Sequence, residues 1–181
     1  MEVDTTEERE DVHMRSKFRR CAAILGAGWA LGACSDGSGS GTGADGTDSL
    51  AMRTGLESVC VEVINGYRAE LSLPALAEWT DSAACFARQA ALDFQSRKGH
   101  ANFGLCKEAA QNTCPAWMWD ESIGGKEGTL RRCVESMWNE GPGTDYSKHG
   151  HYINMTNKAY KKVGCGFSVK EGSIWINMDF K

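Results

Sequence analysis

Residues 149–166 read His-Gly-His-Tyr-Ile-Asn-Met-Thr-Asn-Lys-Ala-Tyr-Lys-Lys-Val-Gly-Cys-Gly. This stretch carries two of the four histidines of the chain, a cysteine between glycines and two runs typical of β-strands, 152–155 and 162–169. A third run, 173–180, follows the turn Lys170-Glu171-Gly172, so the last two runs are predicted to form a hairpin. Apolar residues alternate with polar ones in 173–180, which predicts a sheet with one buried face.

Helices are predicted upstream of this stretch. Apolar residues recur at helical spacing in 57–71, and Pro74 prevents continuation. Thr80-Asp81-Ser82 offers N-cap side chains for a second helix that reaches Arg97, and Thr129 does so for a third helix ending at Gly141-Pro142. Residues 98–128 are predicted to be irregular, with a short strand at 117–119. Helices that cover a small antiparallel sheet make an α+β fold.

Cysteine usage indicates an oxidising compartment. The predicted folded part contains an even number of cysteines and no Cys-x-x-Cys pair, so we expect disulfides rather than a zinc or redox motif. Cys106 and Cys114 lie close together across a predicted loop, and we expect this pair to form a bridge. The other pairings stay open among the candidates Cys60, Cys85, Cys106, Cys114, Cys133 and Cys165.

The first 55 residues have the composition of export and tether segments. Residues 1–13 are acidic, which is wrong for the front of an export signal, so we interpret them as a non-native extension with Met14 as the true start. Residues 14–34 are basic and then apolar and end in Leu31-Gly32-Ala33-Cys34, which resembles a bacterial lipobox with Cys34 as the lipidated residue. A generic secretory signal and a buried helix start are the alternatives. Residues 35–55 are a Gly/Ser-rich flexible linker, and 56–181 form the folded domain.

These segments predict an exported protein, anchored by lipid to the membrane of the bacterial cell envelope or released outside the cell. The net charge is −4 and the basic residues are scattered, so we expect no nucleic-acid partner.

Several motifs in one order resemble the superfamily of cysteine-rich secretory proteins, antigen 5 and pathogenesis-related-1 proteins, whose domain is called CAP or SCP. They are Asn65-Gly66-Tyr67-Arg68, Leu73-Pro74-Ala75-Leu76, Gly150-His151-Tyr152 and Val163-Gly164-Cys165-Gly166. The resemblance covers 57–180 and implies a three-layer α-β-α sandwich with an open cleft. Carried over position by position, it implies that the cleft residues are His100, Gln111, Glu140 and His151. Gln111 stands where the family usually has glutamate.

Three functions are compatible with this residue set. Two imidazoles and a carboxylate can bind a divalent cation such as Zn²⁺, with His100 and His151 as metal ligands, and the cleft can take a small apolar or lipid ligand. Alternatively, Glu140 and His151 are catalytic residues of a metal-dependent hydrolase of extracellular or cell-envelope polymers; the amide of Gln111 is a poor base, which weakens this hypothesis. In the third hypothesis, Glu140 holds His151 and Gln111 holds His100 in a purely structural or adhesive module. His149 is expected to be an exposed loop residue, and Glu108 a solvated one.

Overall fold

The computed structural model describes residues 54–181. The predicted N-terminal extension, signal peptide and lipidation site at Cys34, and nearly all of the predicted linker, lie outside the described residues, so these stay predictions. None of the helices within 54–181 combines the length and the apolar composition that crossing a bilayer requires.

Four helices and a four-stranded sheet make up the described part of the chain. The helices are α1 (Glu57–Glu70), α2 (Ala83–Ser96), α3 (Gly125–Trp138) and α4 (Tyr146–Thr156). The strands are β1 (Ala77–Glu78), β2 (Ala110–Met118), β3 (Lys162–Lys170) and β4 (Ser173–Phe180). They are arranged in the order β1-β3-β4-β2, in which the two-residue strand β1 runs parallel to β3 and the other pairs are antiparallel.

The helices cover both faces of the sheet. Helix α2 packs on one face, where Phe94 stacks on Trp175 of β4 and Phe86 approaches the two glycines of β3, Gly164 and Gly166. Helices α1, α3 and α4 pack on the other face and share one apolar core with Ile174, Ile176, Met178 and Phe180 of β4. The expected α+β fold and three-layer α-β-α sandwich are therefore confirmed.

The prediction of one buried sheet face is wrong. Every residue of β4 is buried, including the polar Asn177 and Asp179. The alternation of apolar and polar residues in β4 was misleading because α2 covers the face that carries these polar side chains. Hydrogen bonds within the protein, rather than water, satisfy most of their polar atoms.

Four local predictions are also wrong. The predicted irregular stretch 98–128 contains the nine-residue strand β2 and the start of α3, which begins at Gly125 rather than after Thr129. The hydroxyl of Thr129 instead donates to the carbonyl oxygen of Gly125 within that helix. The run 152–155 is part of α4, although its composition favours a strand, because Asp145 caps that helix by accepting from the Ser147 N–H at 3.0 Å. The side chain of Ser82 makes no capping bond to α2.

Three disulfides form from the six candidates, but Cys106 and Cys114 do not pair with each other. The pairs are Cys60–Cys165, Cys85–Cys106 and Cys114–Cys133. The expected Cys106–Cys114 bridge is wrong because the two side chains lie on opposite faces of the sheet. Cys106 reaches α2 and Cys114 of β2 reaches α3. Three disulfides fit a protein that folds in an oxidising, extracellular compartment.

Candidate functional site

His100 lies in the loop between α2 and β2 and is held by Gln111. Its Nδ1 atom is 2.9 Å from Oε1 of Gln111, which is buried in β2. The loop leaves α2 at Arg97, a residue with positive φ, and His100 itself has φ 61°. Asp93 of α2 fixes the same loop, since its Oδ1 accepts from the backbone N–H and the side-chain amide of Asn102 at 2.9 and 2.8 Å.

His151 lies on α4 and is held by Glu140, which follows the end of α3. Its Nδ1 atom is 2.5 Å from Oε1 of Glu140, and the other carboxylate oxygen accepts from the backbone N–H groups of His151 and Tyr152 at 2.9 and 3.3 Å. The expectation placed His151 at the start of a strand; it stands instead on a helix. These three contacts hold α4 against the end of α3 and orient the ring of His151.

The four cleft residues carried over from the family resemblance line one hollow. Its volume is about 190 Å³, and Tyr146, Ser147, Gly150 and Asn154 complete its wall. It lies along β2, the end strand of the sheet, where the loop from the α2 layer meets α4 from the other layer. Asn112 fixes α4 to β2, because it donates to the carbonyl oxygen of His151 at 3.1 Å and accepts from Asn154 of the same helix at 2.9 Å.

Beneath His100, a chain of hydrogen bonds continues into the protein. The Nε2 group of Gln111 donates to Oδ1 of Asp179, at 2.9 Å, on the neighbouring strand β4. Burial raises the pKa of Asp179 well above its ordinary value, and the acidic Glu108 and Asp93 raise it further, whereas the hydrogen bond from Gln111 opposes them. Asp179 was absent from the predicted site, and the register Gln111↔Asp179 explains its role, which no single-strand pattern could indicate.

The two histidines line the same hollow and are anchored in the same manner. Both Nδ1 atoms are engaged, and neither Nε2 atom has a hydrogen-bond partner within residues 54–181. The same residues include no cluster of three or more His, Cys, Asp or Glu side chains able to hold a metal ion.

Two further residues lie elsewhere than expected. His149 is on α4, half-buried, and its Nδ1 atom faces the carbonyl oxygens of Glu140 and Gly141 at 2.7 and 3.0 Å. It stabilises the turn after α3 and does not line the hollow. Glu108 is buried rather than solvated, and it accepts from the backbone N–H groups of Gly104 and Cys106 at 2.6 and 3.0 Å.

Comparison with known proteins supports the family resemblance. The chain is similar to the crystal structure of Na-ASP-1, with a TM-score of 0.47 and 14% sequence identity over 68% of this chain and 37% of that one. It thus spans little more than a third of the length of that structure. No curated protein sequence matches it. A model of the cysteine-rich secretory protein family, CAP, matches residues 61–176, which is well over half of the chain. The chain belongs to the cysteine-rich secretory protein family.

Proposed function

We propose that this protein is an exported binding domain whose hollow takes a divalent cation through Nε2 of His100 and Nε2 of His151. One observation carries the proposal: both histidines line the same hollow, both rings are anchored at Nδ1, and neither Nε2 has a partner among the described residues 54–181. Histidines that bind metal ions usually donate the other ring N–H to a carboxylate or carbonyl oxygen, which sets the tautomer and the ring orientation. Glu140 and the amide oxygen of Gln111 are acceptors of these two kinds.

The donor set suits a borderline cation such as Zn²⁺. Imidazole nitrogens bind zinc at about 2.0 to 2.1 Å, and zinc usually has four ligands. Two protein ligands would leave positions for water or for a polar group of a second ligand. We therefore expect modest affinity compared with a structural zinc site, in which the protein supplies all four ligands.

A small apolar or lipid ligand is a second candidate occupant, favoured by an adjoining hollow. This second hollow has a volume of about 290 Å³ and shares His100, Gln111 and Tyr146 with the first. Phe103 and Tyr146 line it with rings that are 51% and 59% exposed, which is unusual for side chains of this size. A ligand with a polar end at the two histidines and an apolar body against Phe103 would fill both hollows.

Hydrolysis of extracellular or cell-envelope polymers is supported less well. Three of the acceptor sites of Glu140 already bind N–H groups of His151 and Tyr152, so its carboxylate is a weaker base toward a water molecule than a free one. Ser147 lines the hollow, but its hydroxyl donates to Asp145 at 2.6 Å rather than to His151. No hydroxyl nucleophile paired with His151 is therefore found in the hollow among residues 54–181. A purely structural or adhesive module is the remaining alternative, and it predicts that substitutions in the hollow change only stability.

Export and lipid anchoring at Cys34 belong to the same proposal. The three disulfides support export, and the lipobox-like Leu31-Gly32-Ala33-Cys34 supports the anchor. Mass analysis of the mature protein from a bacterial membrane fraction tests this. Loss of residues 1–33 with added diacylglycerol on Cys34 is the expected result, and an unmodified Cys34 in the mature chain would exclude the anchor.

Calorimetric titration of the full chain with ZnCl₂ tests cation binding. We expect saturable binding to one site, its loss in the double variant H100A/H151A, and its retention in H149Q, which removes a neighbouring imidazole that does not line the hollow. Equal heats from the native protein and the double variant would exclude the cation site. A fluorescent fatty-acid analogue, compared between the native protein and F103A, tests the apolar hollow in the same way.

A further inference from the structure

Asp179 is a fully buried acid at the floor of the cleft. It lies directly across the β2–β4 ladder from Gln111, and its Oδ1 atom accepts from Nε2 of that residue at 2.9 Å. Its Oδ2 atom is buried and has no hydrogen-bond partner among residues 54–181. A carboxyl group buried in this way is costly, so its place behind a cleft residue calls for an explanation.

The amide of Gln111 connects Asp179 with His100, because its nitrogen contacts the one and its oxygen the other. An ionised carboxylate can only accept hydrogen bonds, whereas a primary amide has an accepting end and a donating end. With its nitrogen directed at Asp179, the amide must direct its oxygen at His100 and Thr113, which lie 2.9 and 3.3 Å away. An accepting oxygen at 2.9 Å requires a proton on Nδ1 of His100. In the neutral ring, Nε2 then carries a lone pair.

We propose that Asp179 is a positioning residue for the cleft: its carboxylate orients the Gln111 amide, and the amide in turn holds His100 as the Nδ1–H tautomer with the Nε2 lone pair in the hollow. The inference deepens the proposed function and rests on it for its purpose, although the tautomer itself does not depend on any bound cation. Asp179 touches neither the hollow nor a ligand, and it acts through Gln111.

A positioning residue is needed because the side chain at position 111 is a glutamine, whose amide can bind in two orientations. A carboxylate at position 111 would accept from Nδ1 of His100 without help, but this chain has a glutamine there. A glutamine can be reversed, and the reversed amide would donate to Nδ1 and leave the proton on Nε2, where it would block a cation. An ionised Asp179 removes this ambiguity, because a carboxylate can only accept.

The control of the His100 tautomer by Asp179 depends on whether Asp179 is protonated. The charged groups that act on it are Asp93 of α2 and Glu108 of the loop before β2, and both are acidic, so they and burial raise its pKa. A protonated Asp179 can donate as well as accept, and the amide of Gln111 is then free to reverse. We therefore expect the Nε2 lone pair to be held in the hollow only above the raised pKa of Asp179.

Nuclear magnetic resonance of the full chain with ¹⁵N-labelled histidine tests the proposal without metal. The spectra are recorded with a chelator present, at a pH alkaline enough for neutral imidazoles, and the two ring nitrogens are distinguished because a bare and a protonated nitrogen resonate far apart. For His100 we expect a protonated Nδ1 and a bare Nε2. A predominant Nε2–H tautomer in the native protein would overturn the proposal before any variant is made.

Two variants isolate the role of the carboxylate. D179N keeps the shape of the side chain but can accept or donate, so His100 should become a mixture of tautomers while His151, held by Glu140, stays unchanged as an internal control. The double variant Q111E/D179N exchanges the two functional groups and should restore the Nδ1–H tautomer. A His100 tautomer that is unchanged in folded D179N, or not restored in the double variant, would refute the positioning role. If D179N does not fold, the native spectrum and the double variant decide the question.

The proposal and the proposed function fail in different experiments. Absence of zinc binding, with the expected tautomers, would remove the cation and leave the positioning role in place. Binding of zinc to a protein whose free form has His100 in the Nε2–H tautomer would do the reverse.

Discussion

Substitution of Glu140 by glutamine should weaken both the docking of α4 and the proposed cation site. The carboxylate of Glu140 accepts from Nδ1 of His151 and from the N–H groups of His151 and Tyr152. Glutamine has nearly the same shape, so the packing of the turn after α3 should persist. Only one of its two terminal atoms accepts hydrogen bonds, however, and it carries no charge.

The magnitude follows from the number of bonds that lose a charged acceptor. A hydrogen bond to a charged group contributes about 1.5 to 3 kcal/mol and a neutral one about 0.5 to 1.5 kcal/mol. If the amide oxygen keeps the two backbone N–H groups, each of these two bonds weakens by about 1 kcal/mol, which sums to a loss of about 2 kcal/mol of unfolding free energy. The side chain is 23% exposed, and screening by solvent reduces the expected loss to about 1 to 2 kcal/mol. The amide nitrogen would then face Nδ1 of His151 and favour the Nε2–H tautomer, so zinc affinity should fall by about 10- to 100-fold.

Urea unfolding and zinc calorimetry of the full chain measure the two effects. The matched control is E135Q, which removes an exposed acid from α3, one turn before its end, and should change neither quantity. An E140Q variant with native stability would show that the three bonds contribute nothing net. Native zinc affinity in a folded E140Q would refute the argument that Glu140 sets the tautomer of His151.

Three further outcomes test the packing and the buried acid. G166A should destabilise the protein by about 1 to 3 kcal/mol or more, because a Cβ there would lie 2.1 Å from a backbone oxygen of α2. The control G66A, an α1 position with no atom within 4 Å, should instead stabilise it by about 0.5 to 1 kcal/mol, as denaturant unfolding would show. Removal of the Cys60–Cys165 bridge, which spans 105 residues, should cost about 4.7 kcal/mol, more than removal of either shorter bridge. Because Asp179 has a raised pKa in the folded protein, the native state holds its proton longer than the unfolded state, so unfolding free energy should fall as pH rises from about 3.8 to that raised pKa. D179N should flatten this slope, which one group limits to about 1.4 kcal/mol per pH unit, and an identical pH profile would contradict the raised pKa.

The sequence allowed the fold class, most helices and the final hairpin to be predicted, because each carries its own periodic signal. Only the end of strand β2 overlaps the predicted strand at 117–119, since the rest of the strand includes Gln111, Asn112, Thr113 and Pro115, which resemble a loop. Helix α4 was mistaken for a strand at 152–155, where short runs of tyrosine and isoleucine favour strands. Asp145 was a local capping signal that the prediction did not use, whereas the packing of α4 against β2 is a tertiary effect that local composition does not report.

Prediction of the site depended on a different kind of information. His100, Gln111, Glu140 and His151 came from motif order, and the pairs Gln111–His100 and Glu140–His151 are present as expected. The disulfide pairing failed because sequence distance does not tell which face of the sheet a cysteine occupies. Asp179 was missed for a related reason. Its contact with Gln111 is a cross-strand pair whose register could be known only once β2 had been placed against β4.

The loop that carries His100 is held more firmly than a surface loop needs to be. Three of its non-glycine residues, Arg97, His100 and Lys107, have positive φ, which side chains with a Cβ rarely adopt. Such conformations persist only where the surroundings enforce them. Two buried acids do so here. Asp93 accepts from the backbone N–H of Asn102, and Glu108 accepts from those of Gly104 and Cys106, while the Cys85–Cys106 bridge fixes the loop to α2.

Buried carboxylates are a poor way to stabilise a fold as such, since apolar residues of similar size would avoid the cost of desolvation. Asp93, Glu108 and Asp179 are nevertheless gathered behind the same loop, and each of them acts on a group that sets the place, orientation or tautomer of His100. The ring of His151 is instead oriented directly by the carboxylate of Glu140 beside it. The asymmetry is consistent with a cleft in which one histidine is set by an adjacent carboxylate and the other, facing a glutamine, is set by acids one layer deeper. Loss of Asp93 or Glu108 should therefore displace the ring of His100, whereas loss of Asp179 should leave the ring in place and change only which nitrogen carries the proton.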